Sequence, residues 1–295
     1  MFQPESVFHA GERAVQDRVG VSQDSRQRAA RVIRAAMPEQ HQRFFESLPV
    51  LFLGLLDVQG RPWATAAFPP PAGAQATSSR LTVSARPALV ETLCLDLRPG
   101  ARAAVLGLEF ATRRRNRMNG VIRDVAEEVL SIEVEQSFGN CPKYIRRRDI
   151  RLPDAPPPPA EGARVAISDA AVRRIISCAD TFFIASHAKD GLDVSHRGGT
   201  PAVLRRDADG SLSFPDYAGN RYYNTLGNIE VSGRAGLFIP DFAVGEAILL
   251  TGWAGIDWSP VRAAAFEGAE RVVDIRPEEI WHVRHASPRG AVIED

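Results

Sequence analysis

Pro49-Val50-Leu51-Phe52-Leu53-Gly54-Leu55-Leu56 is an apolar run closed by the polar turn Asp57-Val58-Gln59-Gly60, and it follows a stretch from Glu39 that sets Phe44, Phe45 and Leu48 on one helical face. A run this apolar is a buried strand or helix, and the turn behind it, sending the chain back on itself, favours a hairpin. The same order of elements returns further on. Ser168 caps a short helix with Val172, Ile175 and Ile176 inward, the run Thr181-Phe182-Phe183-Ile184-Ala185 follows, and Lys189-Asp190-Gly191 turns it. Phe44 and Phe45 precede Ile175 and Ile176 by 131 positions, as Gly60 precedes Gly191. Arg102-Ala103-Ala104-Val105-Leu106 with Glu109-Phe110 precedes Arg234-Ala235-Gly236-Leu237-Phe238 with Asp241-Phe242 by 132, as Gly120 precedes Gly252. An offset that drifts by one residue over these landmarks marks an internal duplication of two copies.

The duplication sets the expected domains. Residues 1–38 form a helical extension packed on the first copy, with Ala29, Val32, Ile33 and Ala36 sharing a helical face. The first copy covers 39–152 and the second 164–295, joined by a spacer over 153–163 whose proline run suits neither a helix nor a central strand. In the second copy, strand-like runs fall at 181–187, 192–197, 201–205, 211–215, 234–239, 246–256 and 280–284. Short strands without regular helix alternation predict a mainly β, antiparallel barrel with short flanking helices in each copy.

The 295 residues carry 36 basic and 36 acidic side chains, so no global field recruits nucleic acid or an anionic membrane, and any anion site is local. Met1-Phe2-Gln3-Pro4-Glu5 lacks a basic and apolar leader and no apolar run reaches membrane-span length, which predicts a cytoplasmic protein. Cys94, Cys141 and Cys178 are too far apart for a disulfide framework or a Cys-x-x-Cys site and are expected as reduced thiols, two of them in core positions. His282 and His285 fall on opposite faces of a strand, so no metal pair is expected. Gly-x-Ser-x-Gly and His-Glu-x-x-His are both absent, and no side chain declares itself a general acid or base.

One constellation points to an anion. Asp216-Tyr217-Ala218-Gly219-Asn220-Arg221-Tyr222-Tyr223-Asn224 reads as a turn with a short helix beginning after Gly219, offering backbone N–H groups together with Asn220 and Arg221. Upstream, Ser195 and Arg197 alternate in phase on Leu192-Asp193-Val194-Ser195-His196-Arg197-Gly198-Gly199 and project from one strand face. The basic runs Arg113-Arg114-Arg115-Asn116-Arg117 and Arg146-Arg147-Arg148 lack interleaved stacking aromatics and read as solvated or ligand-facing strand.

With these motifs in view, the chain resembles the FMN-binding split barrels of the pyridoxamine 5'-phosphate oxidase-like superfamily over roughly residues 40–290. The resemblance rests on Asp193 to Gly199, Gly219 to Leu226 and Gly233-Arg234-Ala235-Gly236-Leu237, and in the first copy on Arg113 to Gly120 and Gly139-Asn140-Cys141-Pro142-Lys143-Tyr144-Ile145. It implies six-stranded split barrels working as a dimer, here an internal pseudo-dimer of the two copies, with FMN in the groove between them. It also implies phosphate contacts from Ser195, Arg197, Asn220 and Arg221, and approach of Lys143 and Asn140 from the opposite barrel. His196 stands where the family often has proline, and Thr225-Leu226-Gly227-Asn228 replaces a more usual Asn-Leu-Arg run. Ser84-Ala85-Arg86-Pro87-Ala88-Leu89 has no counterpart of the Asn-Arg turn, so one FMN per chain is expected, held chiefly by the second copy. The implied activity is a small flavin-dependent oxidoreductase with a small-molecule redox substrate. The alternatives are a non-catalytic FMN or haem binder, with His187 or His196 as iron ligand, and an interaction protein that has lost its cofactor.

Overall fold

Two segments of different sequence fold into sheets with the same strand order, as the repeat requires. The computed structural model of the chain describes residues 7–151, 158–189 and 191–293. The N-terminal segment forms α1 (Ala10–Arg18) and α2 (Gln23–Val32). The first copy runs α3 (Glu39–Glu46), β1 (Leu51–Leu56), β2 (Pro62–Ala67), β3 (Ala74–Ala76), β4 (Arg80–Val83), β5 (Arg102–Glu109), β6 (Arg114–Ala126), β7 (Val129–Gly139) and β8 (Arg148–Arg151). After β9 (Glu161–Arg164), the second runs α4 (Ala170–Cys178), β10 (Thr181–Ala188), β11 (Gly191–Gly198), β12 (Arg205–Arg206), β13 (Leu212–Tyr217) and α5 (Asn224–Ser232). It continues through β14 (Arg234–Asp241), β15 (Glu246–Asp257), α6 (Pro260–Ala263), β16 (Ala269–Arg284) and β17 (Arg289–Val292).

The first sheet has the order β2-β1-β5-β6-β7-β4-β3 and the second β11-β10-β14-β15-β16-β13-β12. Position by position these are one topology: two tandem, mainly β split barrels of six principal strands, each with a short extra strand, β3 or β12. Pairing registers give the true equivalences. Phe52 opposes Leu106 as Phe183 opposes Phe238, which holds the expected offsets of 131 and 132. Leu53 opposes Thr65 as Ile184 opposes Ser195, so Thr65 is the counterpart of Ser195 and Ala67 that of Arg197, an offset of 130 that moves the Gly60–Gly191 landmark by one.

β1 is apolar throughout because one face fills its own barrel and the other meets the sister barrel. Phe52 and Phe183 stack with ring centroids 3.5 Å apart and planes 13° from parallel, and Phe238 closes on Phe52 at 5.9 Å. The first core therefore continues without a break into Phe183, Leu192, Val194 and Phe238 of the second copy, all buried. At Gly236 a Cβ would stand 2.1 Å from the Pro62 carbonyl oxygen, so β14 reaches β2 only without a side chain there. The pairing of β8 with β17 adds a strand from the end of each copy.

Several local expectations are corrected. α1 lies on α5 of the second copy and buries Val15 in that core, while Ala29 and Ile33 meet Phe138 of β7, so the extension bridges both copies. Val32 and Ala36 stay exposed, because α2 ends at Val32 and the shared face is not continued. Asp169 caps α4 in place of Ser168, its carboxylate accepting from the Ala171 N–H. Residues 201–204 are irregular although Val203 and Leu204 are buried, since burial alone does not supply a pairing partner. β16 is far longer than 280–284: its first half interrupts the apolar pattern with Glu270, Arg271, Asp274 and Arg276, and Pro277 is accommodated where the β15 register shifts opposite Gly252. Cys94 and Cys178 are exposed and Cys141 is half-buried, so no thiol occupies the core. Residues 152–157, with part of the proline run, lie outside the described residues, and 161–163 of the expected spacer belong to β9, paired with β16. No helix among the described residues is long and apolar enough to cross a membrane.

Candidate anion cleft between the copies

Two strands, one from each copy, deliver cations at a spacing of two. On β6 this periodicity points Arg115 and Arg117 the same way, and on β11 it does so for Asp193, Ser195 and Arg197. The turn after β7 adds Cys141, Lys143 and Tyr144, and the segment after β13 adds Asn220 and Arg221. Together they line a cleft of ≈ 820 Å³, counted out to its solvent-open mouth.

The expected helix start is corrected. The chain from Gly219 to Tyr223 is irregular, with Arg221 at φ 62° and Tyr223 at φ 61°, and α5 begins only at Asn224. The Asn220 side chain accepts from the Tyr222 N–H at 3.0 Å, a local turn that competes with helix. No side chain caps α5, and Asn224 and Thr225 of its first turn line the cleft. The positive end of the helix thus faces the same space as the arginines.

The guanidiniums are only partly satisfied. Arg115 donates from Nη2 to the Cys141 carbonyl at 2.6 Å and meets His196 Nδ1 through Nη1 at 3.1 Å. Arg117 donates to both Asp193 carboxylate oxygens at 3.0 and 3.1 Å, and Arg197 to Asp216 at 2.6 Å. Asp216 also accepts from Arg271 at 3.0 Å. The Nε atoms of Arg115, Arg117 and Arg197 are all buried and have no partner among the described residues. Burial, then Arg117 and Arg197, pull Arg115 down to about 9. Burial also lowers Arg117 despite Asp193. Burial, followed by Arg115, holds His196 well below the usual histidine range, so the ring is neutral and its Nδ1 accepts from Arg115. Positive charge is in excess here, and it is partly desolvated.

The structure brings Ser195, Arg197, Asn220, Arg221 and Lys143 to this one cleft. Ser195 is almost covered, its hydroxyl donating to Asp193 and accepting from Thr225, both at 2.9 Å. Asn140 is not among the lining residues; its side-chain nitrogen and oxygen are buried behind Cys141 without partners. His187 does not line the cleft, whereas His196 does. The sequence marks Arg115 and Arg117 only within the basic run 113–117, as solvated or ligand-facing strand, and gives no role to Asp216, Tyr144 or Tyr217; the two tyrosine rings stack at 5.0 Å. The alternate spacing of Arg115 and Arg117 was the available signal.

The pseudo-symmetric position in the other half is filled. By strand register, Thr65, Ala67 and Ala85 replace Ser195, Arg197 and Asp216, while Ala247 and Leu249 replace Arg115 and Arg117. Leu89, Leu93, Ala247, Leu249 and Val283 all belong to the apolar core there.

Fold and cleft define a tandem split-barrel protein with one polycationic cleft between its copies. Solved structures similar to the chain each match about two fifths of it. HupZ from Group A Streptococcus is 16% identical, with a TM-score of 0.32 and coverage of 39% of this chain and 98% of its own. A putative pyridoxamine 5'-phosphate oxidase from Listeria innocua is 14% identical, with a TM-score of 0.30 and coverage of 37% and 93%. General stress protein 26 from Bacillus anthracis is 15% identical, with a TM-score of 0.31 and coverage of 41% and 95%. At these values the likeness is one of fold. No protein-family model and no curated protein matches the chain.

Proposed function

We propose that the chain binds one FMN, its phosphate in the cleft between the copies, and acts as a small flavin-dependent oxidoreductase on a small-molecule redox substrate. The observation that carries this reading is the convergence of Arg115, Arg117, Lys143, Arg197 and Arg221 from two copies, with three buried Nε–H donors lacking partners. A dianion supplies both the missing charge and the missing acceptors. Arg197, Arg221 and Lys143 would hold the phosphate, with Asn220 and the start of α5 as neutral donors. Arg115 and Arg117, braced by Cys141 and Asp193, would face it from the first copy. Bound flavin supplies the electron-transfer chemistry, and the chain supplies orientation and electrostatics. The filled second position supports one flavin per chain and an internal pseudo-dimer. A haem reading is weaker, because His196 is engaged by Arg115 through Nδ1 and is boxed in by cations.

The test combines the visible spectrum of the purified protein, fluorescence titration with FMN and riboflavin, and mass by light scattering. The expected result is a flavin spectrum, one FMN per monomer, and FMN binding at least about tenfold tighter than riboflavin, the scale of one charge-assisted contact. Equal affinity for the two flavins refutes the phosphate assignment, and a haem spectrum refutes the cofactor.

A further inference from the structure

The buried carboxyl of Glu12 has no part in the cleft as so far described, yet it stands one hydrogen bond behind it. α1 lies on α5 so closely that a Cβ at Gly11 would stand 2.1 Å from the Gly227 carbonyl oxygen, and this contact sets Glu12 against the first turn of α5. Glu12 is 4% exposed. One of its oxygens accepts from Asn224 Nδ2 and the other from the His9 N–H at 2.8 Å. Asn224 in turn accepts from Arg117 Nη1 at 3.4 Å through its Oδ1, and Arg117 is paired with Asp193. The result is a continuous path from α1, which lies outside both barrels, through Asn224 to a cleft guanidinium. Gln16 of the same helix donates to the Tyr222 carbonyl at 3.1 Å and ties α1 to the turn carrying Asn220 and Arg221.

We propose that α1 is part of the anion site: Glu12 is a positioning residue that acts through Asn224 on Arg117, and anion binding in the cleft is coupled to proton uptake by Glu12. The proposal rests on the reading of the cleft as a phosphate site. Asp193 on β11 and the ionised form of Glu12 both draw on the charge of Arg117, and a bound dianion competes with them for it. The other groups around Glu12 are His9 and Arg13 on α1, with Arg34 and Glu135 lining the same cavity from the opposite wall. Burial raises Glu12 to about 7, against the hydrogen bonds from His9 and Asn224 that favour its charge, and Asp193 adds to the rise. Both charge states of Glu12 are therefore populated near neutral pH. A dianion beside Arg117 disfavours ionised Glu12, so binding raises its pKa, and by reciprocity affinity falls as pH rises through 7.

Inorganic sulfate serves as the probe, because unlike phosphate it does not titrate between pH 6 and 8. Its affinity for the full-length chain is measured by displacement of FMN and by calorimetry in buffers of different ionisation enthalpy. The expected result is a fall in sulfate affinity from pH 6 to 8 of several-fold, about fivefold if binding moves Glu12 up by one pH unit from about 7. Proton uptake in the wild-type protein accompanies it, and both effects are lost in Glu12→Gln, which keeps a side-chain acceptor and the shape. Sulfate binding without proton uptake in the wild-type protein, or with the same pH slope in Glu12→Gln, overturns the coupling alone. Absence of sulfate and FMN binding at every pH overturns the cleft assignment and this inference with it.

Discussion

Replacing Arg115 with methionine should stabilise the ligand-free protein and weaken FMN binding. A guanidinium held at about 9, well below the usual arginine range, is disfavoured at neutral pH by at most about 5 kcal/mol, taking roughly 1.4 kcal/mol per tenfold. Arg115 is partly open to the cleft, so solvent screening reduces this to about half. Against it stands the Cys141 carbonyl, which loses its donor at a cost of about 1–3 kcal/mol. The balance for Arg115→Met is small, roughly −0.5 to +1.5 kcal/mol and centred on a slight gain, the methionine filling the space of the arginine stem. The sign has a pH signature. A cation whose folded pKa is depressed destabilises the fold fully below the folded value, and the penalty fades as pH rises above about 9 towards the ordinary arginine range. The advantage of Arg115→Met should thus be constant between pH 6 and 8 and shrink above 9. Urea denaturation across that range measures it, and FMN titration measures the accompanying loss, about tenfold or more for a charge-assisted phosphate contact. A variant less stable than wild type by more than about 1 kcal/mol at pH 7, or one binding FMN with unchanged affinity, would refute the reasoning.

Phe52→Ala removes a ring stacked on Phe183 at the junction of the two cores and should cost about 3–5 kcal/mol. Denaturation followed by fluorescence and circular dichroism should show both barrels destabilised together, and a second transition left unmoved would show that the shared core does not couple them. Arg221→Ala should weaken FMN by roughly 10- to 150-fold, whereas Arg86→Ala, which only breaks an exposed pair with Glu91, should leave affinity unchanged. Indistinguishable FMN titrations of these two variants would remove Arg221 from the site.

The sequence by itself determined what depends on short-range pattern. The apolar run at Leu51 to Leu56 and its echo at Thr181 to Ala185 mark the duplication, and their apolarity alone calls for the burial that β1 and β10 show. The period of two placed Ser195 and Arg197 on one face of β11, because a strand leaves a side chain no other choice. Tertiary structure decided the rest. Arg115 meets His196 across 81 residues and Asn224 meets Glu12 across 212, distances in sequence over which no periodicity speaks. The start of α5 was misread because Gly219-Asn220 is also good turn chemistry, and the Asn220 side chain took the Tyr222 N–H before a helix did. The extension was assigned to the first barrel alone because an apolar helix face does not name its partner; that was settled by Gly11 and Gly227, which admit the two backbones to contact. Which copy keeps a cationic cleft was settled the same way. By register, Ala247, Leu249 and Ala67 hold in one half the positions that Arg115, Arg117 and Arg197 hold in the other. A charge cluster is a property of space, and only the packing of the two sheets brings its members within Coulombic reach.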